Sequence, residues 1–172
     1  MRKVLYLFGQ LTDADIGWLA TSGRRQKLPA GTVLIHEGVP VQTLYILLEG
    51  SLTVVQESSK KEIARLAAGE VVGEMSFIDA RPPSATVRAA SAVVVYAIST
   101  QRLRQGLEEN VALAAHFYKA VATLLSDRVR KATAGQFGLD ADSADELDEA
   151  VLDNVGRAGE RFDELSRRLL DG

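Results

Sequence analysis

Apolar and polar positions divide the chain into three stretches. In the first, Thr12-Asp13-Ala14-Asp15 precedes Ile16, Leu19 and Ala20 at helical spacing. A Thr followed three residues later by an acid is a capping-box pattern, here with Asp15 where Glu is commoner. It predicts a short helix over about Asp13 to Ser22. Trp18 reads as packing at a core or edge. In the second stretch, from Gln26 to Ile98, short apolar runs are broken by Gly or Pro: LPAGTVLIHEG, TLYILLEGSLTVVQ, EIARLAAGEVVGEM and ATVRAASAVVVYAIS. Breaks every ~8–12 residues are the pattern of many short antiparallel strands in a roll or sandwich. Leu44, Ile46 and Leu48 share one strand face, Gly50 reverses the chain before Leu52, and Ser58-Ser59-Lys60-Lys61 is a polar hairpin tip.

From Ser99 onward the period is helical. Ser99 or Thr100 caps a helix through Leu107. Asn110 caps a longer one from Val111 to about Thr133, ended by Gly135. The longer helix carries two apolar stripes: Leu107, Val111, Ala114, Tyr118, Val121 and Leu125, and Leu113, Phe117, Ala120 and Leu124. One β-body covers one stripe, so the other needs a second subunit or the C-terminal tail. A homodimer through helix 111–133 is the expectation. In the tail, Ser143-Ala144-Asp145-Glu146 is another capping box. Leu147, Val151, Val155, Ala158, Phe162, Leu165 and Leu169 follow at helical spacing. They predict an amphipathic helix over about 144–170, weakened by Gly156 and Gly159 at roughly 1 kcal/mol each. That helix is expected to dock its apolar stripe.

Charge and composition narrow the function. The 172 residues carry a net charge of −3, but unevenly. Residues 135–172 hold 11 acidic and 4 basic side chains, a net of −7, whereas residues 1–134 have a net of +4. An acidic tail repels phosphate backbones, so DNA binding by that segment is not expected. The absence of cysteine excludes disulfides, thiol catalysis and thiolate metal sites. The two histidines, His36 and His116, are far apart, which argues against zinc or histidine-based catalysis. His36 reads as a turn or strand-edge residue and His116 as surface or interface. No apolar run is long enough for a membrane span or a signal-peptide core, so a cytoplasmic protein is expected.

The chemistry concentrates in Gly69-Glu70-Val71-Val72-Gly73-Glu74-Met75-Ser76-Phe77-Ile78-Asp79-Ala80-Arg81-Pro82-Pro83-Ser84-Ala85-Thr86-Val87. The pattern predicts a strand, a Gly-Glu turn into one helical turn over about Met75 to Ile78, a proline-stiffened loop and another strand. Backbone N–H groups after the glycine suit an anion such as phosphate, and Glu74 beside them suits sugar hydroxyls. Asp79, Glu74 and His36 supply no nucleophile–base–orienter set, so an enzyme is not expected.

Residues from about 5 to 133 resemble the cyclic nucleotide-binding domain shared by the catabolite activator protein, protein kinase A regulatory subunits and cyclic-nucleotide-gated channels. The resemblance rests on LPAGTVLIHEG, LYILLEGSLTVV and LAAGEVVGEMSFIDARPPSATVRA, followed by two helices. Gly38, Gly50, Gly73, Glu74 and Ala85 fall at hallmark positions. It implies a mainly β fold with flanking helices: an eight-stranded, jelly-roll-like β-roll over about 26–98, with helices over about 100–133. This unit spans residues 1–134, with an acidic helical tail at 135–172. The resemblance also implies a ligand-binding set of Gly73, Glu74, Met75, Ser76, Arg81, Pro83, Ser84 and Ala85. Glu74 would hold the ribose 2′-hydroxyl, backbone amides around Met75, Ser76 and Ala85 would face the phosphate, and Ser84 would offer its hydroxyl.

Pro83 departs from the pattern. Family members that bind cyclic nucleotides well carry an arginine there. A charge-assisted hydrogen bond contributes roughly 1.5–3 kcal/mol, so its loss should weaken binding roughly 10- to 150-fold. Arg81 and Arg88 are nearby substitutes; the side on which Arg88 points depends on strand register. The helix-turn-helix that follows in transcription factors of the family is not expected in the 38 residues after 134, whose net charge is −7. The expected function is a non-enzymatic regulatory module that weakly binds a cyclic nucleotide, cyclic AMP or cyclic GMP, or a related phosphate ligand, and relays occupancy to a protein partner through its C-terminal helices. The alternative is a degenerate domain acting as a dimeric adaptor.

Overall fold

A computed structural model describes residues 9–136. The docked helix expected at 144–170 lies outside the described residues. Helix α1 (Asp13–Ser22) is followed by strands β1 (Arg24–Leu28), β2 (Val33–Ile35), β3 (Thr43–Glu49), β4 (Ser51–Gln56), β5 (Lys61–Ala67) and β6 (Val71–Val72). A short helix α2 (Glu74–Asp79), strands β7 (Thr86–Ala89) and β8 (Val93–Ser99), and helices α3 (Thr100–Glu109) and α4 (Val111–Gln136) complete the order.

The strands form two antiparallel four-stranded sheets, ordered β1-β8-β3-β6 and β2-β7-β4-β5. This is the expected eight-stranded roll with flanking helices. The central pair β3 and β8 explains the unbroken apolar runs LYILL and VVVYAI, because both faces of these strands are covered. Leu44, Ile46 and Leu48 face the helices with Tyr96 and Ile98, and there they meet Leu103, Phe117 and Leu124. Leu47, Val93 and Val95 face the other sheet and meet Leu52, Leu66 and Val87. The same strand thus belongs to two cores.

Local signals place the helices. Thr12 and Asp15 form the capping box, and Ser99 accepts from the Arg102 amide to start α3. Asn110 Oδ1 accepts from the Leu113 amide at 3.0 Å and starts α4. Trp18 packs against the core between α1 and Gly106 of α3, and the Arg102 guanidinium lies 5.3 Å from its ring centroid. The Tyr96 hydroxyl fastens the end of α1 to the sheet: it accepts from the Gly23 amide and lies 2.8 Å from the carbonyls of Leu19 and Ala20.

Three expectations need correction. Helix α4 runs through Gly135 to Gln136, because a glycine stops a helix only where the backbone turns left-handed after it. The first apolar stripe is not continuous: Leu107 belongs to α3, across the Asn110 break, and Val121 is buried in the chain's own core. Val111, Tyr118 and Val129 stay exposed, at 81%, 47% and 64%, while Leu113, Phe117, Ala120 and Leu124 are fully covered. The β4–β5 hairpin tip is Glu57–Lys60, and Lys61 already pairs with Gln56.

Candidate functional site

The segment from Gly69 to Val87 folds back over the β2-β7-β4-β5 sheet and walls a half-open cavity of about 430 Å³. All eight residues of the expected ligand set line it: Gly73, Glu74, Met75, Ser76, Arg81, Pro83, Ser84 and Ala85. The rest of the wall is mostly apolar, from Ile35, Val54, Leu66, Val72 and Val87. A cavity of this size with few convergent polar groups has the character of a small-molecule site.

Backbone geometry sets the cavity edge. Gly73 caps α2 with φ +93°, and a Cβ there would lie 2.8 Å from the Thr43 carbonyl oxygen, so only glycine fits. That close approach drives Glu74 inward, to 2% exposure. Across the mouth, the Gly38 amide donates to the Pro83 carbonyl at 2.9 Å and the Glu37 amide to the Thr86 hydroxyl at 3.1 Å. The proline loop is therefore tied to the β2–β3 connection. Helix α2 is fastened from behind. Arg104 Nη2 donates to the Phe77 carbonyl at 3.1 Å and its guanidinium stacks 4.7 Å from the Phe77 centroid. Phe77 meets Phe117 of α4 edge to face at 5.7 Å.

The charged groups are less evenly placed. Met75 is 57% exposed at the rim, and the Arg81 side chain is 84% exposed, 3.9 Å from Asp79. Arg88 turns to the other face of β7, 3.8 Å from Glu57, so the register removes it as a substitute for the missing loop arginine. The residue that sequence reading missed is Arg128. It reaches from α4 into the cavity wall, where Nη1 donates to Glu74 and Nη2 donates to the Val71 carbonyl at 2.7 Å. Glu70 Oε2 lies 3.5 Å from Nη2. Burial pushes the Glu74 carboxyl above its ordinary range, and Arg128 offsets only part of that. A signal was present: Arg128 follows Phe117, Val121 and Leu124 on the covered stripe, where a charge must have a partner.

The histidines separate. His36 is exposed just after β2. His116 does not wait at the surface for a partner; its Nδ1 lies 2.8 Å from Asp15 Oδ2 of α1. Among the described residues no group of three or more His, Asp or Glu could hold a metal ion. No described helix is long and apolar enough to cross a membrane.

Comparison with known proteins agrees with this architecture. The family model for the cyclic nucleotide-binding domain matches residues 25–110. The cAMP-activated global transcriptional regulator CRP of Salmonella typhimurium is 32% identical over 103 residues, which cover 58% of this chain and 49% of that protein. The chain thus spans about half the length of the curated relatives it matches. Among solved structures, a cyclic nucleotide-binding domain from Methylobacillus flagellatus superposes with a TM-score of 0.67 at 25% identity, covering 75% of this chain and 78% of that one. The N-terminal domain of a transcriptional regulator from Streptomyces coelicolor gives a TM-score of 0.61 at 30% identity, covering 75% of this chain and 94% of that one. An NTE family protein of Mycobacterium bovis is 29% identical over 119 residues, only 20% of its length. With half of its residues matched by the family model and its roll closed around the Gly73–Ala85 cavity, the chain belongs to the cyclic nucleotide-binding domain family.

Proposed function

We propose that the chain is a regulatory module that takes cyclic AMP or cyclic GMP in the cavity lined by Gly73 to Ala85, holds it weakly, and relays occupancy through α3 and α4. The observation that carries this reading is the convergence of Glu74, Ser76, Ser84 and Ala85 on one cavity of about 430 Å³. Glu74 offers a carboxylate to ribose hydroxyls, Ser84 a hydroxyl, and the turn at Met75 and Ser76 its amides. Pro83 offers neither charge nor N–H, which is the basis for weak binding. Residues 1–134 form the working unit in this reading, and the setting is cytoplasmic.

The test is calorimetric titration with a panel of cyclic mono- and dinucleotides. Binding of a cyclic mononucleotide at micromolar affinity or weaker is expected, and Pro83→Arg should tighten it about 10- to 150-fold. Nanomolar binding by the native chain would overturn the weak-site reading. No binding by either form would point instead to a domain that keeps the fold and acts as an adaptor.

The relay also proposes a homodimer along helix 111–133. Val111, Tyr118 and Val129 support it, as an exposed apolar row on a helix whose other side is already covered. Tyr118→Glu should shift sedimentation from dimer to monomer while changing monomer stability by only about 0.5 kcal/mol. A native chain that sediments as a monomer at tens of micromolar would end the dimer proposal.

A further inference from the structure

The charges lining the cavity balance in number but not in placement. Of the described residues that line it, Glu74 and Asp79 are acidic and Arg81 and Arg128 are basic. Arg81 is turned to solvent and sits beside Asp79. Arg128 is the inward cation: its side chain is 25% exposed, and it touches the carboxylate at the cavity floor. An anion held in this space faces the buried Glu74 carboxylate, which is repulsive in a low-dielectric setting unless a cation stands beside it. Pro83 supplies none.

We propose that Arg128, delivered from the long helix α4, is the residue that pairs with the anionic group of the bound ligand. The proposal rests on the nucleotide reading above and names the cation that reading lacks. A guanidinium carries five N–H donors in a planar fork. Here one edge is engaged by Glu74 and by the Val71 carbonyl, with Glu70 close by. When a ligand hydroxyl takes the Glu74 carboxylate, Nη1 is released to the anion, and the Val71 carbonyl and Glu70 keep the guanidinium in place. The exchange is reciprocal: the hydroxyl replaces arginine on the acid, and the anion replaces the acid on arginine. A ligand with both a hydroxyl and an anion satisfies both sides, whereas an anion alone leaves Glu74 without its partner. The site therefore selects anionic sugars over simple phosphate. It also ties affinity to the position of α4, because the cation belongs to that helix and not to the loop.

The test is calorimetry of the full chain with cyclic AMP and, as the uncharged counterpart, adenosine. The variants are Arg128→Gln, Arg128→Lys and, as a control facing away from the cavity, Arg88→Gln, with folding checked by thermal melts. Arg128→Gln should weaken cyclic AMP about 10- to 150-fold and adenosine by less than about threefold. Arg128→Lys should recover part of the loss, since the ammonium keeps the charge but not the fork, and Arg88→Gln should match the native chain. Equal losses for cyclic AMP and adenosine would make Arg128 a structural support and overturn the proposal. Unchanged cyclic AMP affinity in Arg128→Gln would overturn it while leaving the nucleotide reading intact. Absence of any binding, by the native chain and by Pro83→Arg alike, would end both.

Discussion

Helix α4 presents a basic side chain to a buried acid at two levels, and the two pairs behave differently. Near its start, His116 meets Asp15 of α1; about one turn past the core residue Leu124, Arg128 meets Glu74 of α2. Burial raises the pKa of both acids. At Asp15 that effect is outweighed by the Thr12 amide and hydroxyl, each 2.7 Å from Oδ2, and by His116, so the carboxyl sits below its ordinary value. At Glu74 burial wins over Arg128 and the carboxyl sits above it. Asp15 has donors from its own helix start and is finished as a structural group. Glu74, beyond its own backbone amide, has one long side chain from a distant helix as its partner, and in the proposed exchange it gives that partner up. A satisfied acid closes a fold; an under-satisfied one suits a site.

That contrast can be broken by mutation. Arg128→Ala should have the largest effect, about 3–5 kcal/mol in denaturant unfolding, because it strands a buried carboxylate. Adding Glu74→Gln should restore at least half; no recovery would mean that Glu74 is not the source. Asp15→Ala should cost about 2 kcal/mol, as it removes the carboxylate that accepts from the Thr12 amide and hydroxyl in the capping box and from His116. The two acids should also bend the pH profile in opposite senses. Asp15 contributes stability that is complete above the ordinary value of 3.8 and drains as pH falls through its lower folded value. Glu74, raised above 4.5, favours the folded state in acid and loses that contribution as pH rises through its folded value. Asp15→Asn should flatten the acid limb, and Glu74→Gln should flatten the slope above it; identical profiles would erase the distinction. His116→Gln should be mildest, below about 1 kcal/mol, since its ring is 37% exposed and Asp15 keeps its Thr12 donors.

These pairs also mark what was legible in the sequence. The Thr12–Asp15 cap, the Asn110 start of α4 and the turn into α2 were readable because each is fixed within a few residues. The doubly covered strands β3 and β8 announced themselves by unbroken apolar runs. The eight cavity residues were named through resemblance; their spacing alone suggested an anion turn. Arg128 was not found, because its partners lie 54 and 57 residues away and only the tertiary packing of α4 brings them together. The partner of His116 escaped for the same reason, lying 101 residues away, although its ring is at the surface. Register settled Arg88, which an alternating pattern leaves one slip from either face.

The backbone at Gln42 and Thr43 carries two attachments at once. The Gln42 carbonyl accepts from the Thr100 amide at the head of α3, and the next carbonyl is the one that abuts Gly73 at the head of the cavity helix. Mechanically this is a single bearing from which two arms hang. The longer arm is α3, continued across Asn110 by α4; the twelve residues of α4 beyond buried Leu124 span about 18 Å at 1.5 Å per residue, so a turn of about 10° there sweeps the tip by about 3 Å. Arg128 crosses back from that arm to the cavity and closes a triangle. With Leu113, Phe117, Ala120 and Leu124 buried, the core holds the first half of α4, and the Arg128 crosspiece braces the stretch just beyond it.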